Sequence, residues 1–306
     1  MSREFELSTD LFSLEDLQQT DRSLYDAFYL GNPLCHLYRG NLMTEESDLF
    51  AAVEILRGEG KKIYLTTPAA PRMKEIPVVE KALDLAVRAK VDGVEVNNLG
   101  VLTLMKERGI SIPAHTGPFA NVYTDVSARY LSTWGVVRVR PNPEVSYKEC
   151  VDIRENGGVD VTVVLHGKIP LGVVPDCFFT EEKGEEVCPE ACLEPAWLTR
   201  GEWVIRHVGK GVSSGLDFCL YEHLDRVVEG GFSFFRIEGG YETPEYRNRV
   251  GKIYRDSLEA LLAGRWVPSE SRLEELRSLA RYGLCNGYFF GTTGRKYFDR
   301  AAAGGV

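Results

Sequence analysis

The chain has 306 residues, of which 44% are hydrophobic and 26% are charged, so it can build a sizeable core as one large domain or two ordinary ones. Its formal net charge of −9 argues against broad nucleic-acid binding, which favours basic surfaces. The sequence contains no apolar run long enough for a membrane span and no apolar signal region near its N-terminus, so we expect a cytoplasmic protein.

Short β-rich runs alternate with amphipathic helices along most of the chain. Residues 1–25 predict an N-terminal arm, and the alternation starts after it. The predicted strands are Phe28–Gly31, Lys62–Thr66, Gly93–Val96, Ile112–His115, Val136–Val139, Val161–Leu165, Trp203–Val208 with Phe218–Leu220, and Phe234–Ile237. The predicted helices are Leu49–Leu56, Val78–Ala89, Leu99–Glu107, Val126–Thr133, Tyr147–Glu155, Tyr221–Val228, Tyr246–Leu262 and Ser271–Arg281.

The alternation of strands and helices indicates a parallel sheet. About eight such units favour an irregular (β/α)8 barrel of the α/β class, with short N- and C-terminal additions. A doubly wound open sheet is the competing layout, but the sequence has neither the Gly-rich dinucleotide turn nor a Walker A run. The simplest interpretation is a single domain over residues 1–306, with the barrel core at about 27–264 and a helix and glycine–aromatic tail at about 265–306.

Polar side chains stand at the carboxyl ends of the predicted strands, where barrel enzymes place their active sites. They are Glu95 and Asn97, His115, Arg138 and Arg140, His166, His207, and Arg236 and Glu238. Glu95 and Glu238 favour a functional role, because a carboxylate within an apolar strand costs free energy unless it is paired or used. Arg138 and Arg236 would serve either as structural partners for these carboxylates or as anchors for an anionic substrate. For each histidine, a structural or solvated position is the ordinary interpretation.

Three of the seven cysteines lie in one loop-like segment after the sixth predicted strand. Cys177, Cys188 and Cys192 have C-x10-C-x3-C spacing, and a loop of this length needs something to hold it. Reduced cytoplasmic thiols favour metal binding or catalysis over disulfides. Cys35, just past the first predicted strand, is the best candidate for a fourth ligand, with Cys219 second. The other cysteines have apolar neighbours typical of core residues: Cys150, Cys219 and Cys285.

Four thiolates suit either zinc or an iron–sulfur cluster. Structural zinc sites favour two closely spaced cysteine pairs, and only Cys188 and Cys192 have that spacing. One distant ligand combined with a three-cysteine loop is more typical of a cluster. The spacing alone leaves a cluster, zinc and a metal-free loop as alternatives.

Six stretches, in order along about residues 27–291, carry a resemblance to a known family. They are Tyr29–Cys35, Val94–Gly100, Gly117–Tyr123, Gly135–Pro141, His166–Phe178 and Asn286–Gly291. In these stretches the chain resembles peptidase family U32, and within it the short single-domain members that act in oxygen-independent ubiquinone biosynthesis.

The resemblance implies a barrel-like fold and a [4Fe-4S] cluster held by one early cysteine and three in a mid-chain loop. The matching positions here are Cys35, Cys177, Cys188 and Cys192. For several members it also implies hydroxylation without dioxygen, on a quinone precursor or on bases in RNA, with prephenate as a suggested oxygen donor. The acidic composition disfavours RNA, and a related U32 chain is the partner that the resemblance implies.

We therefore expect an enzyme, or enzyme subunit, of oxygen-independent hydroxylation or related redox chemistry on a small anionic or quinone-precursor substrate. The candidate catalytic residues are Glu95, His115, His166 and Glu238, and the candidate substrate-binding residues are Asn97, Asn121, Arg138 and Arg236. The alternatives are a non-catalytic cluster scaffold or electron-transfer subunit, and a collagenase-like peptidase. The sequence disfavours the peptidase because it has no nucleophile elbow, no H-E-x-x-H and no papain-like cysteine signature.

Overall fold

A closed parallel barrel is the framework of the protein, whose computed structural model describes residues 4–302. The strands are β1 (Glu6–Leu11), β2 (Ala27–Leu30), β3 (Lys62–Thr66), β4 (Gly93–Val96), β5 (Ala114–Thr116), β6 (Val136–Val139), β7 (Asp160–Val173), β8 (Ala196–Arg200), β9 (Trp203–Val208), β10 (Gly211–Cys219), β11 (Phe234–Glu238) and β12 (Leu284–Cys285). Strands β1 to β7 pair in parallel in sequence order, and β11 closes the ring by pairing in parallel with both β7 and β1. The predicted (β/α)8 barrel is confirmed.

Helices surround this barrel. They are α1 (Leu14–Gln19), α2 (Glu46–Gly58), α3 (Ile76–Ala89), α4 (Gly100–Glu107), α5 (Asp125–Ser132), α6 (Tyr147–Asn156), α7 (Phe178–Lys183), α8 (Leu224–Glu229), α9 (Pro244–Leu262) and α10 (Glu270–Leu279). Local sequence fixes where several begin. At α6, the Ser146 hydroxyl accepts a hydrogen bond from the Glu149 amide, and the Glu149 carboxylate accepts one from the Ser146 amide at 2.8 Å. This reciprocal cap satisfies two amides that the first helical turn leaves without partners.

The first barrel strand, β1, lies within the segment that the sequence predicts as an N-terminal arm. Five of its six residues are buried. The hydroxyls of Ser8 and Thr9 donate to backbone oxygens of β11 at 2.9 and 3.0 Å. The arm prediction was wrong because the strand is unusually polar, with only Leu7 and Leu11 apolar, so it lacks the apolar run by which strands are recognised. The barrel therefore begins near residue 6 rather than 27.

The predicted seventh strand, β9, is not part of the barrel. Strand β7 is 14 residues long, and it pairs in parallel with β6 and β11 before continuing into antiparallel pairing with β10. Strands β10, β9 and β8 extend the sheet from there, and β12 pairs with β10. The three-cysteine segment connects β7 to β8. Hence His207, which we expected at a barrel strand end, lies in this antiparallel extension.

The apolar core lies between the barrel wall and the helices, and it includes tail residues such as Leu284 and Phe290. Inside the barrel there is only a small separate apolar group, formed by Ala27, Tyr29 and Tyr64 among the described residues. Most other interior side chains are polar. Within residues 4–302, no helix combines the length and the apolar character needed to cross a membrane.

Candidate functional site

Arg236 is the centre of an ion-pair network in the barrel interior. Its Nη1 donates to Glu95 Oε1 at 2.6 Å, and its Nε lies 3.2 Å from Glu238 Oε1. Its Nη2 donates to Asp10 Oδ1. Because β11 and β4 are not neighbours in the sheet, the bond to Glu95 crosses the barrel. Three residues predicted from strand ends, Glu95, Arg236 and Glu238, therefore meet.

Asp10, at the end of β1, is a functional candidate that the sequence analysis missed. Burial raises the pKa of its carboxyl to about 7; Arg236 acts in the lowering direction, and the carboxylates of Glu238 and Glu95 add to the rise. At neutral pH this group can therefore either accept or release a proton.

A cleft of about 610 Å³, here called the mouth cleft, opens at the carboxyl ends of the strands beside this network. Its polar lining consists of Asp10, Glu95, Arg140, Lys168, Ser213, Arg236, Glu238, Tyr241 and Glu242. Arg140 Nη2 lies 2.7 Å from Glu238 Oε1, and Lys168 Nζ donates to Asp217 Oδ1 at 2.6 Å. These buried pairs fix the charged groups in place before any ligand binds.

His115 and Arg138 lie deeper in the barrel and do not line the mouth cleft. His115 Nδ1 is 3.1 Å from the Tyr29 hydroxyl, and burial lowers the pKa of the imidazole well below its usual value. Arg138 donates to Glu6 Oε1 at 2.6 Å, which is the structural pairing rather than a substrate contact. Their predicted location at the mouth was wrong because they belong to the layer below it. Arg140, two residues after Arg138, reaches the mouth instead.

His166 lies outside the barrel interior. Its Nδ1 is 3.2 Å from the Tyr254 hydroxyl of α9, and burial lowers its pKa to about 3, so the ring is neutral. The β11–β7 register shifts after the pair Arg236–Val164, so that His166 pairs with Ile237. A one-residue irregularity turns the following side chains to the other face of a strand. The expectation that His166 faces the substrate was wrong for this reason.

Asn97 and Asn121 occupy different places. Asn97 is buried beside Glu95, with its Nδ2 3.5 Å from Glu95 Oε2. Gly117 leaves the space for this amide, because a Cβ there would lie only 2.0 Å from Asn97 Oδ1. Asn121 is on an exposed turn, where its Oδ1 accepts from Asn142 Nδ2 at 3.2 Å. Asn97 therefore supports the mouth network, whereas Asn121 does not line the mouth cleft.

The four predicted ligand cysteines line a single cavity, here called the cysteine cavity. Cys35 comes from the loop after β2, while Cys177, Cys188 and Cys192 come from the segment between β7 and β8. None of them forms a disulfide. Gly209, in the turn between β9 and β10, leaves room for the sulfurs: a Cβ there would lie 3.1 Å from Cys192 Sγ and 3.6 Å from Cys177 Sγ.

This arrangement fits the donor set of a [4Fe-4S] cluster. Burial raises the pKa of the Cys35 and Cys188 thiols and raises that of Cys192 to about 12, a rise that a bound cation would offset. Within residues 4–302, no group of three or more Cys, His, Asp or Glu side chains is arranged to hold a metal ion. Four thiols distributed around a cavity suit a multi-iron group, in which each thiolate binds a different iron.

Asparagine side chains hold the Cys35 loop and connect it to the mouth cleft. Asn32 Oδ1 accepts from the amides of Leu34 at 2.9 Å and Cys35 at 3.3 Å, and Asn41 Nδ2 donates to the Cys35 carbonyl at 3.0 Å. The Tyr241 hydroxyl donates to the same Asn32 Oδ1 at 2.7 Å. Because Tyr241 also lines the mouth cleft, one amide side chain joins the cysteine loop to the wall of the mouth.

The sequence held a weak signal for some of the residues that were missed. Arg140 lies two residues after Arg138 and continues the same alternation. Lys168 lines the mouth cleft although His166, two residues before it, packs on Tyr254 outside the barrel interior. Asp10 and Tyr241 carry no such signal, since they lie in a strand and a loop that the sequence pattern did not identify.

Comparison with known proteins identifies the family. A sequence model described as peptidase family U32 matches residues 13–298. The chain belongs to peptidase family U32. An uncharacterized protease of Methanocaldococcus jannaschii is 27% identical over 280 residues, covering 87% of this chain and 68% of that protein. A collagenase of Porphyromonas gingivalis is 21% identical, covering 98% and 77%.

Other U32 relatives are named for hydroxylation. The tRNA hydroxylation protein P of Haemophilus influenzae is 20% identical, covering 92% of this chain and 73% of that protein. A solved structure of a U32 peptidase superposes with a TM-score of 0.48 at 15% identity, covering 80% of this chain and 96% of that one.

Proposed function

We propose that this U32 protein carries a [4Fe-4S] cluster and catalyses oxygen-independent hydroxylation, or related redox chemistry, on a small anionic or quinone-precursor substrate in the mouth cleft. The observation that carries the proposal is that the cysteine cavity adjoins the mouth cleft. Leu34 and Val208 line the mouth, while their sequence neighbours Cys35 and Gly209 line the cysteine cavity. The names of several relatives, which are tRNA hydroxylation proteins, support the reaction class.

A cluster bound by Cys35, Cys177, Cys188 and Cys192 would supply one-electron transfer beside the substrate. The protein's own side chains bind and orient that substrate. Arg140 and Lys168 present positive charge to an anion in the cleft, while Arg236 holds the carboxylates of Asp10 and Glu95 in place.

Asp10 is the group that moves a proton. Its Oδ1 accepts from Arg236, so Oδ2 is the oxygen offered to the substrate. Burial raises its pKa to about 7. The carboxylate is therefore basic enough to take a proton from a hydroxyl group, or from an activated C–H group, of a substrate in the cleft. Glu95 is a positioning residue in this scheme, since it reaches Asp10 only through Arg236.

The cluster is tested by anaerobic purification with iron and sulfide analysis. We expect about four irons and four sulfides per chain, together with broad visible absorbance. Cys192→Ser should lose both. Cys285→Ala, in the buried core, is the matched control and should keep them. A colourless protein that carries one zinc per chain contradicts the proposal.

The Asp10→Asn variant, tested as cluster-loaded protein, distinguishes an enzyme from a scaffold or electron-transfer subunit. Mass spectrometry of anaerobic reactions containing prephenate and a hydroxybenzoate-type quinone precursor should show gain of one oxygen with wild type and none with the variant. If cells carrying only Asp10→Asn protein retain full function while its cluster is intact, the scaffold interpretation is favoured.

RNA-base hydroxylation is a second candidate, favoured by relatives named as tRNA hydroxylation proteins and as a 23S rRNA 5-hydroxycytidine synthase. The formal charge of −9 opposes it, since affinity for RNA depends largely on phosphate contacts. Binding of tRNA at low salt, measured by gel shift, decides between the two substrate classes. We expect no binding.

Peptidase activity is a third candidate, favoured by relatives named as a protease and as a collagenase. Among residues 4–302, those that line the mouth cleft include no cysteine and no histidine, so no Cys–His or Ser–His pair of described residues lies there. We expect no digestion of casein or gelatin. Digestion that persists in the Cys177→Ser protein would support peptidase activity.

A further inference from the structure

A second cavity, of about 500 Å³, lies beside the mouth cleft and is lined mostly by apolar side chains. Val145 and Cys150 contribute from the β6–α6 region, Ile169 from β7, Phe218 from β10 and Phe289 from the C-terminal tail. We call it the apolar chamber.

The apolar chamber and the mouth cleft meet at a common border. Arg140, Pro170 and Glu238 line both cavities. A molecule bound in the mouth can therefore extend past this border into the chamber, so that one end lies among charges and the other among apolar side chains.

Arg140 has unused hydrogen-bonding capacity at this border. It is 3% exposed, and neither its Nε nor its Nη2 forms a hydrogen bond with any described residue. Nη2 lies 2.7 Å from Glu238 Oε1, but the contact is an ion pair without hydrogen-bond alignment. A buried guanidinium with open donors is costly in a protein that binds nothing there. An oxygen acceptor supplied by a ligand would satisfy it.

We infer that the apolar chamber is the subsite for the non-polar body of the substrate, whose carboxylate is bound by Arg140 at the border. The substrate is then a monocarboxylate with a compact aliphatic or aromatic body rather than a highly charged metabolite. This inference deepens the proposed function and rests on it for identifying the occupant as a substrate.

The chamber also gives the glycine–aromatic tail a role. Phe289 forms part of the chamber wall and packs against Tyr147 of α6, with ring centroids 5.1 Å apart. Asn286 holds the tail by donating to the Cys219 carbonyl at 3.3 Å and accepting from the Phe298 amide at 2.7 Å. The tail thus closes a binding subsite as well as covering the core.

The experiment is calorimetric titration of the cluster-loaded protein with straight-chain carboxylates, from acetate through butyrate and hexanoate to octanoate. Affinity should increase by about fourfold for each methylene that the chamber buries. The matching alcohols should bind at least tenfold more weakly, because they lack the charge that Arg140 recognises. Affinity that does not depend on chain length overturns the inference.

Two substitutions should move this dependence in opposite directions. Val145→Phe fills the chamber and should abolish the gain beyond butyrate while leaving acetate binding unchanged. Phe289→Leu enlarges the chamber and should shift the point at which affinity stops rising to longer chains.

A third substitution tests the charged end of the site. Arg140→Gln should weaken the binding of every carboxylate by a similar factor and remove the advantage of the carboxylates over the alcohols. If Val145→Phe fails to fold, Phe289→Leu alone decides: an unchanged chain-length profile rejects the chamber.

This outcome is separable from that of the proposed function. Titration measures equilibrium binding without turnover, so chain-length-dependent binding in a protein that hydroxylates nothing supports the subsite and rejects the reaction. Hydroxylation by a protein whose affinity for carboxylates does not depend on chain length supports the reaction and rejects the subsite.

Discussion

The mouth cleft and the cysteine cavity adjoin each other but are built in opposite ways. In the mouth, charged groups have protein partners: Arg236 is shared by Asp10, Glu95 and Glu238, and Lys168 is paired with Asp217. In the cysteine cavity, the thiols form no disulfide, and burial raises the pKa of Cys35, Cys188 and Cys192.

The difference indicates how each region obtains its stability. The mouth network is held by ion pairs that cross the barrel, so its geometry exists without a ligand. The segment between β7 and β8 contains short helical turns and few buried side chains, so the proposed cluster would supply much of its order. The predictions below test this contrast.

The largest effect should follow removal of the proposed cluster. Chelation under reducing conditions should leave the barrel folded but open the segment between β7 and β8, so that limited proteolysis there accelerates by at least about tenfold. Mass spectrometry of the fragments locates the cleavage. Equal protease resistance before and after chelation would show that the segment is ordered by the protein alone, like the mouth.

Arg236→Met should destabilise the whole barrel. The substitution leaves Asp10, Glu95 and Glu238 buried together without their shared cation, and breaking a buried pair in this way costs about 3–5 kcal/mol. Urea unfolding measures it. The matched control is Arg277→Met on α10, whose exposed ion pairs should contribute about 1 kcal/mol or less. Similar losses for both variants would contradict a mouth held by its network.

Asp10 gives the mouth a pH dependence. Its folded-state pKa of about 7 lies above the unfolded value, so its contribution to stability is fully present below the unfolded pKa and is lost as the pH rises through about 7. If its carboxylate is the base, kcat/KM should fall about tenfold per pH unit below 7. Any turnover that remains in Asp10→Asn should lack that limb, and the variant should be less destabilised by alkaline pH than wild type. An unchanged pH profile in this variant would exclude Asp10 as the base.

The smallest effect should come from the surface contact between the two halves of the cysteine site. Arg39 Nη1 lies 3.4 Å from Glu190 Oε2, and both side chains are more than half exposed. Arg39→Ala should change the free energy of unfolding by about 1 kcal/mol or less and leave the iron content unchanged. A substantial loss of iron would mean that this ion pair, rather than Asn32 and Asn41, fixes the Cys35 loop.

The sequence predicted the parts of this architecture that leave an apolar pattern or a rare residue type. Barrel strands such as β2 and β3 carry continuous apolar runs, and the cysteines are distinctive wherever they occur. Glu95, Arg236 and Glu238 were found because charges inside apolar strands are unusual.

The errors have two physical sources. Strand β1 was missed because Glu6 and Asp10 pair with Arg138 and Arg236 in a polar barrel interior, so burial did not require an apolar pattern there. His166 was misplaced because the register irregularity in β7 depends on pairing with β11, more than 60 residues away, which no local pattern encodes. Arg138 was predicted to bind the substrate, but Arg140 lines the mouth instead. Both residues follow the alternation of inward-facing side chains, and only their depth in the barrel distinguishes them.

The length of β7 also has a consequence for motion. One unbroken strand forms the barrel wall at its start and the base of the antiparallel extension at its end. Gly167, near its middle, has a φ of +115° but packs so closely on Glu238 that a Cβ would lie 2.3 Å from the Glu238 carbonyl oxygen. The extension therefore has no free hinge at its base. It should move with the barrel as one body, and amide hydrogens along β7 should exchange with solvent as slowly beyond Gly167 as before it.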